Sequence, residues 1–149
     1  MNTTIRFVKR LPGAKMPVKA TSQSAGFDLH AAEVQMDLPN RYLLIDTGLS
    51  ISFDPGYVLF LYGRSGLASK YGIRLANGVG VIDADYRGPI RVVLRSDRLT
   101  IPGMTEIIRV GDRVAQGILV PIPSAQWVEV DELDETERGT GGFGSTGLR

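Results

Sequence analysis

Residues 43–62 read LLIDTGLSISFDPGYVLFLY. Three apolar runs stand here in quick succession: Leu43 to Asp46, Leu49 to Phe53 and Tyr57 to Tyr62. Thr47-Gly48 separates the first two, and Asp54-Pro55-Gly56 separates the second from the third. Short runs bounded by glycine, proline and aspartate are the pattern of β-strands joined by turns. The third run is continuously apolar and predicts a buried strand. Working outward, the same pattern recurs. Ile5 to Lys9 alternates, with Ile5, Phe7 and Lys9 on one side. Ile90 to Arg95 is rich in β-branched residues. Thr105 to Val110 and Arg113 to Val120 are expected to pair across Gly111-Asp112 as a hairpin, and Trp127 to Val130 is expected to be the last strand. Further turn signals stand at Pro39-Asn40, Pro102-Gly103 and Pro121 to Pro123. Only Ser65 to Tyr71 suggests a helix, with Ser65 as its N-cap and Gly72 as its C-terminal stop. The fold class is therefore all-β, a sandwich or barrel with one short helix.

Composition bounds what this fold can do. A chain of 149 residues suits one domain with a proper core. Hydrophobic content of 43% and charged content of 22% are ordinary for a globular protein. A net charge of +1 argues against general nucleic-acid binding, which favours a strongly basic face. No stretch approaches the apolar length of a membrane span. The opening MNTTIRFVKRLPG lacks the apolar heart of an export signal, so the cytoplasm is the expected compartment. Without cysteine there are no disulfides or thiolate metal sites, and the single His30 cannot build a multi-histidine centre. Any metal used should be hard and oxygen-ligated, such as Mg²⁺. Organisation changes once. Residues 1–130 form the β body; DELDETE (131–137) is an acidic connector; RGTGGFGSTG (138–147) is a flexible glycine-rich arm. There is no internal repeat.

Five segments carry candidate chemistry. In GVGVIDADYRGPI (78–90), Asp83 and Asp85 stand two apart, and on an extended backbone they point the same way. A carboxylate at a strand end can orient a water and accept its proton; Asp-Ala-Asp before a turn can equally bond its own backbone. GRSGLASKYG (63–72) places Arg64 and Ser65 at a helix start, where N–H groups favour anions, or where an ordinary cap would stand. SAGFDLHAA (24–32) sets Asp28 in a strand, where satisfying nearby backbone is the preferred reading, with His30 partly exposed or hydrogen-bonded. In GDRVAQGILV (111–120), Gln116 is a polar residue in a buried strand, either a structural bridge or a ligand donor. The arm cannot build a core, and a chain end of that composition is commonly disordered. Yet Phe143 could cap a flat base and Arg138 grip a phosphate with its planar fork. The connector gives the arm reach towards a neighbouring subunit.

Taken in order, AGFDL (25–29), RSGLA (64–68), NGVGVIDADYRG (77–88), GDRVAQ (111–116) and the arm resemble the trimeric dUTP diphosphatases, or dUTPases. The resemblance implies a jelly-roll-like β-barrel, a homotrimer, and three sites each drawing on all three subunits, with the arm closing over them. It implies dUTP as substrate, dUMP and pyrophosphate as products, and Mg²⁺ as cofactor. Asp83 matches the aspartate that activates water. Tyr86 matches the tyrosine stacked under the deoxyribose that leaves no room for a 2′-hydroxyl. Asn77 and the hairpin through Gly80, Val81 and Ile82 match the uracil-reading element. Arg64, Ser65, Gly66 and Gln116 match phosphate-contacting positions. Arg138 matches the arm's phosphate-binding arginine and Phe143 the ring over uracil, with Gly144 and Ser145 beside it. No direct protein ligand to the metal is implied; Asp28 matches an aspartate near the metal-triphosphate region, acting through water. A protein regulator would leave no mark in the sequence. One departure is Gly63, where proline is usual before the arginine. A dCTP deaminase of similar fold is the rival reading, but no glutamate lies between Glu33 and Glu106 to serve it. A non-catalytic jelly-roll module is a second rival.

Overall fold

A computed structural model describes residues 3–39, 41–142 and 145, and these form ten strands and two short helices. The strands are β1 (Arg6–Lys9), β2 (Phe27–His30), β3 (Glu33–Asp37), β4 (Tyr42–Asp46), β5 (Leu49–Ser52), β6 (Tyr57–Tyr62), β7 (Ile73–Leu75), β8 (Gly80–Ile82), β9 (Arg91–Ser96) and β10 (Arg113–Pro121). The helices are α1 (Ser65–Tyr71) and α2 (Ile101–Ile107). Every ladder is antiparallel. The strands form three sheets, ordered β1-β5, β2-β10-β6-β8 and β3-β4-β9-β7. The expected all-β, jelly-roll-like class stands; among the described residues its sheets do not close into one barrel but lie as separate sheets over a shared core. Leu43, Ile45, Leu59, Leu61, Leu94 and Met104 are among its fully buried members.

The opening stretch explains how two of the sheets join. Thr47-Gly48 is no hairpin turn: it carries the chain from β4 in one sheet to β5 in another. Buried Thr47 donates from Oγ1 to the carbonyl of Ile90 at 2.7 Å. Asp46 accepts the Gly48 N–H at 2.8 Å and the Arg91 Nε at 2.8 Å. Gly48 has φ 68°, and a Cβ there would stand 2.8 Å from that of Ala14 and 2.9 Å from that of Ala32. Both backbone and space demand glycine.

Two expected strands do not form. Thr105 to Val110 does not pair with β10. Residues 101–107 coil as α2 instead, with Thr100 accepting the Gly103 N–H at 3.3 Å as N-cap and Pro102 in the first turn. Ile101, Met104 and Ile108 are buried at helical spacing. Trp127 to Val130 adopts no regular structure, and Trp127 is fully exposed. The unread β3 and β7 pair with β4 and β9. The turn position Asn40 lies outside the described residues. Among the described residues, no helix is long and apolar enough to cross a membrane.

Candidate active site

The β2-β10-β6-β8 sheet carries the candidate residues at its two ends. At one end, β2, β6 and β10 run side by side: Gln116 stands opposite both Asp28 and Tyr62. The chain leaves β6 through Gly63 and enters α1. Arg64, extended at φ −97° and ψ 131°, occupies the N-cap position; Ser65 is the first helical residue and so not the cap. The stop at Gly72 is as expected, left-handed at φ 65°. Arg64 Nε lies 3.3 Å from Asp28 Oδ1, and Arg113 Nη1 lies 3.2 Å from Asp28 Oδ2. Arg64 also donates from Nη1 to the Arg113 carbonyl at 3.3 Å. Asp28 therefore does not serve nearby backbone with its carboxylate; it holds two guanidiniums beside each other. The Gln116 amide donates to the Gly63 carbonyl at 3.2 Å, a structural bridge that ties β10 to the start of the loop. Ser65 and Gly66 are exposed beside these groups.

His30 borders this end, opposite Arg113 in the ladder. Its Nδ1 is buried, with no hydrogen-bond partner among the described residues. Burial holds its pKa below the ordinary value, and the charges of Lys15, Arg113 and Arg64 act in the same direction, against Asp28. Arg113 and Lys15 escaped the sequence reading. The signal for Arg113 was its place in GDRVAQ, three residues before Gln116.

At the other end, β8 runs into the loop 83–89. Asp83 and Asp85 do not lie on an extended strand: Ala84-Asp85 is a turn, closed by the Tyr86 N–H on the Asp83 carbonyl at 3.2 Å. The Asp83 side chain is exposed and makes no hydrogen bond or ion pair among the described residues. Its carboxylate is thus not consumed by its own turn. With Val81, Ile82, Tyr86, Pro89 and Arg91 it lines a groove of about 200 Å³. Asn77 and Gly78, with Gly78 at φ 75°, turn the chain from β7 to β8. These strands lie in different sheets, so the segment arches between two sheets rather than forming a paired hairpin.

These two clusters do not meet. Ile82 pairs with Leu59, which sets Asp83 level with the start of β6, while Arg64 follows its end. At about 3.3 Å per residue, roughly 20 Å of strand separates them. Nor do the described residues of the arm bridge the gap. Arg138 donates from Nε to the Gly141 carbonyl at 2.9 Å, and the Ser145 N–H bonds the Gly142 carbonyl at 3.0 Å, both within the arm. Phe143 and Gly144 lie outside the described residues. Among the described residues, no group of three histidine, cysteine or acidic side chains is placed to hold a metal ion.

The family described as dUTPase matches residues 13–147. Deoxyuridine 5'-triphosphate nucleotidohydrolase of Helicobacter pylori is 41% identical over 144 residues, covering 97% of each chain. That of Desulfitobacterium hafniense is 43% identical over 148 residues, covering 97% of this chain and 95% of its own. Among solved structures, the dUTPase of Staphylococcus bacteriophage 80alpha with dUpNHpp superposes with a TM-score of 0.84 at 28% identity, covering 97% of this chain and 99% of its own. A dUTPase of phage phi11 of S. aureus, whose structure describes the coordination of a structural Mg(II) ion, gives 0.73 at 27% identity, covering 87% of this chain and 97% of its own. The chain belongs to the dUTPase family.

Proposed function

We propose that this protein hydrolyses dUTP to dUMP and pyrophosphate, and that it does so as a homotrimer with composite sites. The observation that carries the reading is the pair of incomplete clusters at opposite ends of one sheet. One is cationic and suited to phosphate; the other offers an uncommitted carboxylate and an aromatic ring. Neither suffices alone, and one chain cannot bring them together. Copies arranged about a three-fold axis can set one chain's Arg64 end against another's Asp83 loop, and a third chain's arm supplies Arg138, Phe143, Gly144 and Ser145.

In this reading Arg64, Ser65, Gly66 and Gln116 position the triphosphate, and Asn77 with the backbone of Gly80, Val81 and Ile82 reads uracil. Tyr86 stacks beneath the deoxyribose. Asp83 orients a water towards the α-phosphorus and accepts its proton. The new bond joins the water oxygen to that phosphorus, the bond to the bridging oxygen breaks, and pyrophosphate departs. Positioning and charge stabilisation provide most of the acceleration. Mg²⁺ fits as a companion of the triphosphate, because Asp28 is already engaged by two arginines and can reach a cation only through water. When bound, it screens phosphate charge.

The test is purified protein with dUTP and Mg²⁺, products resolved as dUMP and pyrophosphate, beside dCTP, dTTP and UTP. Release of both products from dUTP alone is expected; ammonia from dCTP would instead establish a deaminase. Asp83→Asn should lower kcat by at least about 100-fold, the lower end of general-base contributions, while still binding a non-hydrolysable dUTP analogue. Near-normal turnover would remove Asp83 from the role.

A further inference from the structure

Gly88 lies two residues beyond Tyr86, and its backbone does not explain why it is glycine. Its φ lies outside the left-handed region that favours glycine. What a side chain would meet is the phenol. A Cβ at this position would overlap Tyr86 Oη and lie 2.5 Å from Cζ and 2.9 Å from Cε2. The ring is drawn back over Gly88 by its own hydroxyl, which donates to the Pro89 carbonyl at 3.2 Å. The loop beneath is braced on both sides. Arg87 donates from Nη1 to the carbonyls of Ala84 at 2.6 Å and Tyr86 at 3.0 Å. Ser50, on β5, donates from Oγ to the Gly88 carbonyl at 2.9 Å. With the loop held this firmly, a new methyl group at 88 would move the ring, the softer partner. The ring is partly exposed and borders the groove shared with Asp83.

We propose that Gly88 is a specificity-determining position: its missing side chain forms the seat of the Tyr86 ring, and that seat decides whether a ribose 2′-hydroxyl is admitted. Gly88 is a positioning residue acting through Tyr86, and the inference rests on the role proposed above for that ring. A hydroxyl is excluded sterically only while the ring stays against the sugar. A ring lifted from its seat leaves the space to an intruding oxygen, and contacts to dUTP loosen as well.

The experiment compares kcat/KM for dUTP and UTP in the wild type, Gly88→Ala, Tyr86→Ala and the double variant, with melting temperatures for each. Gly88→Ala should reduce the preference for dUTP about tenfold to a hundredfold, the scale on which small misplacements act. The double variant should match Tyr86→Ala, because without the ring nothing remains to be displaced. Melting should show the same coupling, with Gly88→Ala lowering stability less in the absence of the ring. If Tyr86→Ala leaves the preference intact, the role of the ring fails, and the seat with it. If Tyr86→Ala relaxes the preference and Gly88→Ala does not, only the seat is overturned. Should Gly88→Ala not fold, folding regained in the double variant supports the seat, and a double variant that also fails to fold overturns it.

Discussion

At Gly63 the chain carries the softest residue available, just before the arginine that holds Asp28. Nothing crowds it: a Cβ would come no nearer than 3.8 Å to the Leu75 nitrogen, and its φ is not left-handed. Gly63→Pro should therefore be accommodated, raise stability by about 0.4–1 kcal/mol through the unfolded chain, and leave dUTP turnover unchanged or higher. Calorimetry and steady-state kinetics check it; a large loss of turnover in a well-folded variant would mean the loop works in another geometry. His30 offers a pH-dependent counterpart. Its pKa is lowered by folding, so as pH falls below about 6.5 the unfolded chain takes up the proton first. Stability should be flat with respect to this group above that pH and decline as pH drops towards the lowered folded value. His30→Gln should flatten the decline in urea titrations made across that window; an unchanged slope would assign it to other groups. The roles proposed for Asp83 and Tyr86 rest on the ordered motifs, since Asp-Ala-Asp alone equally describes a turn. The two arginines on Asp28 were not readable, because one follows β6 and the other starts β10, both far along the chain from β2, and only the antiparallel sheet brings them together.

Elements tell a similar story. Tyr57 to Tyr62 reads as a buried strand because its neighbours, β8 and β10, cover both of its edges and its side chains meet the core. Residues 101–107 misled for a physical reason: isoleucine and threonine favour strands locally, whereas capping by Thr100 and burial of Ile101 and Met104 favour the helix. Tertiary packing decided, and the spacing of those apolar residues was the signal that outranked propensity. Trp127 to Val130 has strand-like residues but no strand partner among the described residues. The Thr47-Gly48 corner was legible as a turn, although not as a change of sheet. Gly48→Ala is expected to destabilise by at least about 2 kcal/mol, combining a strained φ with overpacking against Ala14 and Ala32. Urea unfolding measures it, and a loss under about 0.5 kcal/mol, the range of ordinary surface substitutions, would show the corner to be pliable.

For the whole molecule, the separation between the Arg64 end and the Asp83 loop makes assembly testable by complementation. A variant lacking residues 138–149 and an Asp83→Asn variant should each be nearly inactive. Mixed under conditions that allow subunit exchange, they should recover activity at about a quarter of the sites, since each site as proposed takes an intact aspartate from one chain and an arm from another. Mixed oligomers that recover nothing would count against arms acting between chains.

Because β6 is hydrogen-bonded along both edges, it cannot fold back to bring its two ends together. If the site is composite as proposed, bending of β6 cannot switch its chemistry on. On the proposed reading control passes to abundance: dilution below the association threshold silences the catalyst without unfolding anything, and a truncated copy that still co-assembles can spoil the work of intact neighbours.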